Sequence, residues 1–279
     1  MVALDPRIHP FRPEVAASHL KGQVEARRFA DGTRYQVVEP AAALRRTPSH
    51  DARLDTEALF GETVTVYDIE EGWAWGQLEG DGYVGWLSAN ALAAQGAAPT
   101  HKVCVPRTLC FPAPDIKRPP LAALPMGAKL AVARQDERFA ITASGWHVPA
   151  VHLAPIKARA GDFVTVAETF LNSPYLWGGK TSLGIDCSGL VQVALQAAGV
   201  ACPRDSDLQE LSLGKPVALT EMRRGDLVFW KGHTAIARDA ESLIHANAHH
   251  MMVAIEEAEA AIARIKAAGS EVTSVKRVV

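Results

Sequence analysis

Residues 184–200, GIDCSGLVQVALQAAGV, place a cysteine at the entrance of a helix, and the rest of the chain is read outward from that junction. The run from Cys187 is apolar and rich in Ala and Leu, and Gly199 ends it. Asp186 or Ser188 can cap the turn. A thiol is a good nucleophile only as its anion, and a helix N-terminus favours that anion through free amides and the helix dipole. Free cysteines are also common as small buried residues. The local sequence leaves both roles for Cys187 open.

Upstream, DFVTVAETFLNSPY (162–175) predicts a helix that stops near Pro174, with Phe163, Val166, Ala167 and Phe170 on one stripe. Downstream, DLVFW, HTAIARD and ESLIHAN read as successive strands. They are followed by an amphipathic helix, EEAEAAIARIKAAG, that ends at Gly269, and by a last strand, EVTSVKRVV. Helix first and antiparallel sheet after is an α+β order. His233 opens one strand and His245 sits near the end of the next. If these strands form a hairpin, His233 can take a thiol proton and His245 can fix its tautomer. Each is equally readable as a packing histidine, and His249 and His250 read as solvated. A zinc site of Cys187, His233 and His245 lacks close ligand spacing.

The first half has another texture. Residues 1–32 form a mixed leader with a helical possibility in PEVAASHLKG. Over 33–93, RYQVVEP, ETVTVYDIE, WAWGQLE and DGYVGWLS are short β-rich runs punctuated by Gly61, Gly72, Gly80 and Gly82, which suggests a small β-barrel. AQGAAPT (94–100) reads as a linker. Residues 100–155 repeat the pattern less clearly in VCVPRTLCF, AKLAVAR, RFAITAS and GWHVPAVHL, which suggests a second small barrel, with Pro112–Pro120 as a surface loop. The remaining domain is placed at 156–279.

Composition narrows the function classes. The 279 residues carry 29 basic and 31 acidic side chains, net charge -2, with no long Lys/Arg run. The footprint of a nucleic-acid binder is missing. Four cysteines without CxxC spacing favour a reducing compartment over a disulfide scaffold. MVALDPRIHPFRPEV lacks the apolar run of a signal peptide, and no stretch reads as a membrane span, so a soluble, cytoplasmic protein without membrane partners is expected. Oligomeric state is not readable.

Six stretches in order carry a family resemblance. They are YLWGG (175–179), DCSGL (186–190), PRDS (203–206) with Gln209, RGDLVF (224–229), GHTAI (232–236) and IHA (244–246). With them, residues 160–279 resemble the NlpC/P60 cysteine peptidases, a papain-like group that cuts peptidoglycan peptides. Thr234 departs from the valine common after the histidine. The resemblance implies Cys187 as nucleophile, His233 as base then acid, His245 as its orienting partner, and the Tyr175 hydroxyl as a second oxyanion donor. LDTEALFGE and GWAWGQLEGDGYVGWL further resemble the bacterial SH3-like domains of γ-D-glutamyl-L-diamino-acid endopeptidases (dipeptidyl-peptidase VI).

The implied substrates are small muropeptides such as L-Ala-γ-D-Glu-diamino acid, bound by their free amine and met during cell-wall peptide recycling. Implied binding residues are Tyr83, Glu57 or Glu62, Trp177, Asp186, Ser188 and Ser206, with Trp177, Gly178 and Gly179 shaping the groove. No metal or organic cofactor is implied. A cysteine-dependent amidase or acyltransferase, and a non-enzymatic wall- or protein-binding module, are the rival readings.

Overall fold

The structure is a computed structural model that describes residues 4–278, so residues 1–3 of the expected leader and residue 279 of the expected last strand lie outside it. The chain forms two compact units that divide between Ile156 and Lys157.

In the N-terminal unit, seven strands make one antiparallel sheet. They are β1 (Thr33–Val37), β2 (Ala41–Arg45), β3 (Leu54–Leu59), β4 (Thr63–Glu70), β5 (Trp73–Leu78), β6 (Val84–Ser88) and β7 (Leu92–Ala94), ordered β3-β2-β6-β5-β4-β1-β7. Alternation in β4 turns Val64 and Val66 inward, where they pack with Leu44, Leu78, Tyr83 and Leu87. Residues 101–155 add short strands, from His101–Val103 to Leu153–Pro155, around a core of Val103, Cys110, Leu124, Leu130 and Val148. Pro112–Pro120 carries no strand.

The leader differs from its sequence reading. PEVAASHLKG forms no α-helix: Val15–Ala17 is a strand paired in parallel with Arg28–Ala30, and Ser18–Leu20 is a single 3-10 turn. An extended chain puts Val15 and Ala17 on one face. There, with Leu20, they pack against Tyr67, Trp75, Val84 and Trp86. Burial against this aromatic face outweighs the helical propensity of the segment. The Arg12 guanidinium lies 4.7 Å above the Trp86 ring and 5.3 Å above Trp75.

The C-terminal unit is α+β. Its six-stranded antiparallel sheet runs β8-β13-β9-β10-β11-β12. These strands are β8 (Lys215–Val217), β9 (Asp226–Trp230), β10 (His233–Ala237), β11 (Ser242–Asn247), β12 (Met252–Glu257) and β13 (Val272–Arg277). The helices are α1 (Phe163–Glu168), α2 (Cys187–Ala197), α3 (Ser206–Ser212) and α4 (Ala258–Ala267). α2 is buried from Cys187 to Leu195 and packs against β10 and β11, which suits a helix apolar nearly all round. Ala258 and Ala261 of α4 join Val228, Trp230, Ala235 and Leu243 in the core.

α1 ends well before Pro174. Its chain leaves the helix because the next amides have sheet partners: Asn172 N–H donates to Val253 O at 3.0 Å and Tyr175 N–H to Met251 O at 2.9 Å. Asn172 turns the corner with a φ of 68°, a region asparagine tolerates.

Candidate active site

The turn into α2 is built by charge. Asp186 accepts the Gly189 amide through Oδ1 and the Gly178 amide through Oδ2, both at 2.7 Å. Arg204, only 1% exposed, donates to Oδ1 at 2.9 Å and Oδ2 at 2.8 Å, and also to Ser188 Oγ at 2.8 Å and the Gly179 carbonyl at 3.2 Å. Ser188 in turn donates to Asp186 Oδ1. Asp186 and Ser188, expected to touch substrate, thus also shape the turn, and a capping carboxylate or hydroxyl can still meet a ligand. The glycines serve the same turn. A side chain at Gly189 would collide with the Gly179 carbonyl, and one at Gly179 with the carbonyl of Gly184, so the close approach is of chain to chain.

At the tip sits Cys187, 7% exposed. Burial first, and the Asp186 charge second, push its thiol up to about 12, while the backbone amides of Thr234 and Ser188 and the Arg204 charge pull the other way. Desolvation thus opposes the thiolate that a helix start favours. The Thr234 amide at the sulfur ties Cys187 to β10, the strand that His233 opens. Burial, followed by the neighbouring His245 and Arg264, pushes His233 down to about 3, against the pull of Glu256 and Asp186. Both shifts favour the neutral forms, thiol and imidazole. Burial, then the charges at Cys187 and Asp186, raises the Tyr175 hydroxyl, so it stays protonated and able to donate.

His233 Nε2 and His245 Nδ1 meet at 2.8 Å with ring centroids 5.1 Å apart. The β10–β11 register, Ile236 opposite Ile244, sets this pairing. His245 is fully buried, and its Nε2 lies 2.6 Å from Glu256 Oε2, which Arg264 Nη2 approaches to 2.5 Å. Glu256 and Arg264 escaped the sequence reading, as did Arg204. His250 is not simply solvated: its Nδ1 is 3.0 Å from Asn247 Oδ1 and 3.8 Å from Glu256 Oε2. Trp177 is 51% exposed. Ser206 is the first residue of α3, with Asp205 in the N-cap position.

In the N-terminal unit, Tyr83 is 2% exposed and packs in the sheet core, yet it also lines a cavity of about 470 Å³ with Trp75, Trp86, Arg46 and Asp55. Glu57 and Glu62 are not among its described lining residues. Glu62 instead accepts the Leu59 amide at 2.8 Å. Asp55 is the buried carboxylate at this cavity, with Arg46 Nε 3.4 Å away.

Among the described residues no group of three or more His, Cys, Asp or Glu is arranged to hold a metal ion, and no helix is long and apolar enough to cross a membrane.

Cys187, His233, His245, Glu256 and Arg264 all fall within the stretch that a known family model matches. Residues 172–268 match the NlpC/P60 family, and residues 44–92 match the bacterial dipeptidyl-peptidase Sh3 domain. The C-terminal unit is an NlpC/P60 domain, and a bacterial Sh3 domain precedes it. Among curated proteins, the chain is 28% identical over 210 residues to a gamma-D-glutamyl-L-lysine dipeptidyl-peptidase of Bacillus cereus, covering 64% of this chain and 60% of that one. A protein of the same name from Bacillus subtilis is 29% identical over 198 residues, covering 64% and 65%. The chain thus spans 60–65% of the length of these relatives. A solved NlpC/P60 family protein from Bacillus cereus shares the fold, with a TM-score of 0.75 at 22% identity, over 88% of this chain and 99% of that one.

Proposed function

We propose that this protein is a cysteine peptidase that hydrolyses the γ-D-glutamyl–diamino-acid bond of peptidoglycan-derived peptides. The observation that carries this reading is the placement of Cys187 at a capped helix start, its sulfur at the Thr234 amide, next to a His233 that is coupled to His245. The names of the two Bacillus relatives support the choice of bond.

In this mechanism Cys187 attacks the γ-D-glutamyl carbonyl while its proton passes to His233. Proton transfer during attack suits a pair that is neutral at rest. The oxyanion is met by the Cys187 amide and the Tyr175 hydroxyl. Protonated His233 then gives its proton to the departing diamino-acid amine, leaving L-Ala-γ-D-Glu as a thioester on Cys187. Water, deprotonated by His233, attacks the thioester, and the sulfur leaves as the thiol after taking that proton back.

The substrate is read as a small muropeptide with a free N-terminal L-Ala, encountered in the cytoplasm during recycling. For the amine, Glu57 or Glu62 stays in the reading, and Asp55 joins them as a carboxylate that shares a cavity with Tyr83. Tyr83, Trp177, Asp186, Ser188 and Ser206 remain assigned to substrate binding.

The test is incubation of purified protein with L-Ala-γ-D-Glu-L-Lys, read by mass spectrometry. Free lysine and L-Ala-γ-D-Glu are expected, with none formed by C187A. Turnover that survives in C187A, or an amide cut elsewhere in the peptide, overturns the reading. Fractionation of cells tests the location.

A further inference from the structure

The two histidines do not end the chain of hydrogen bonds. His245 lies directly opposite Ala254 in the β11–β12 register, which puts Glu256, two residues on, diagonally beside it on the same face. Arg264, from the next helix, closes on Glu256 from the far side with Nη2 at 2.5 Å from Oε2 and Nε at 3.3 Å from Oε1. The row His233, His245, Glu256, Arg264 is therefore continuous, and each junction in it is a hydrogen bond.

A hydrogen-bonded row has a direction. Arg264 only donates, and burial notwithstanding, its bond and that of His245 hold the Glu256 carboxyl below its ordinary range, so Glu256 is an acceptor. His245 Nε2 must then carry the hydrogen, and in the neutral ring this leaves Nδ1 as a lone pair. That lone pair faces His233 Nε2 at 2.8 Å, so Nε2 of His233 must donate. The free lone pair of His233 is then on Nδ1.

We propose that Glu256 is a positioning residue that sets the tautomer of the general base two side chains away, leaving His233 Nδ1 as the nitrogen that receives the Cys187 proton. This rests on the peptidase reading for its consequence, but the tautomers themselves do not. Without a carboxylate at 256, His245 can present either ring nitrogen to His233. Part of the population then has His233 with its hydrogen on Nδ1 and no lone pair for the thiol proton. The charged and titratable groups facing the pair are Glu256 and Arg264, with His250 beside His245 and Asp186 acting on His233.

The experiment is nitrogen-15 NMR of the imidazoles in the full chain near neutral pH, assigned with H233Q and H245Q, combined with steady-state kinetics. In the unmodified protein, His245 and His233 should each show a protonated Nε2 and a lone-pair Nδ1. In E256M, both rings should show averaged tautomers. kcat should fall about 100-fold at unchanged KM, between the cost of an outer partner and that of a histidine held in the wrong tautomer. E256Q keeps an oxygen acceptor at the Oε2 position and should retain both tautomers and most of kcat. A hydrogen on His233 Nδ1 in the unmodified protein overturns the proposal, and that measurement needs no variant to fold. So does an E256M protein whose tautomers, or whose kcat, match the parent. If no substrate is turned over at all while the tautomers follow this pattern, the peptidase reading fails and the tautomer assignment stands.

Discussion

The guanidinium of Arg204 closes on the carboxylate of Asp186 with two bonds, 2.9 and 2.8 Å long, and both side chains are buried. Through it, the segment before α3 holds the turn that presents Cys187. Replacing Arg204 by Leu strands a buried carboxylate, which typically costs about 3–5 kcal/mol. Urea unfolding of R204L should show a loss of that order, together with loss of turnover. A midpoint equal to that of the parent would mean that the pair does not hold the turn.

Alkylation of Cys187 should report its neutral resting state. With the thiol pushed up to about 12 and His233 down to about 3, the reactive thiolate is scarce across the neutral range. The iodoacetamide rate in the free protein should climb about tenfold per pH unit from pH 6 to 9, as it does for a thiol well below its pKa. A rate flat over that interval would indicate a preformed thiolate–imidazolium pair.

Acid should destabilise the C-terminal unit before any carboxylate is lost. His233 is held far below its ordinary 6.5, and His245 is also lowered, so the unfolded chain binds protons that the folded one refuses. Their neutral burial contributes stability in full above pH 6.5 and loses it as pH falls toward 3. The slope is about 1.4 kcal/mol per pH unit for each histidine fully protonated only when unfolded. Below about pH 4.5, protonation of Glu256, whose folded carboxyl is also lowered, adds to the loss. Urea midpoints at pH 7, 5.5 and 4.5 should fall in that order, and less steeply in H233N.

Asp55 is expected to matter for the substrate amine. D55N should lower kcat/KM for L-Ala-γ-D-Glu-L-Lys at least tenfold, since a charge-assisted bond to a buried carboxylate is worth about 1.5–3 kcal/mol. The N-acetylated peptide, cut slowly by the parent, should be cut no more slowly by D55N. An equal loss on both peptides would assign Asp55 to folding of its own sheet.

The candidate catalytic side chains were picked out locally, Cys187 by a polar residue before an apolar helix and His233 and His245 by strands separated by a short turn, but only the six motifs taken together chose a catalytic role over a packing one. Most elements around them were legible for the same reason, down to the glycine after α4, but β12 was not: Glu256 and Glu257 were read as the start of the helix and lie in that strand. What escaped depends on partners far along the chain. α1 stops early because Asn172 and Tyr175 bond to Val253 and Met251, some eighty residues later. Glu256 joins the histidines only through the β11–β12 register, and Arg264 only because α4 lies against that strand. The leader was misread because Val15, Ala17 and Leu20 are apolar in any conformation, and only the aromatic face opposite them selects the extended one.

That aromatic face makes the segment from Val15 to Ala30 a lining rather than a tether. A version of the protein trimmed to start at β1 would keep every catalytic group and still expose two indoles and a phenol ring to solvent. Its failure would be one of stickiness, with self-association and precipitation on storage, and the cavity at Tyr83 would lose the walls that Arg7, Phe11 and Arg12 give it.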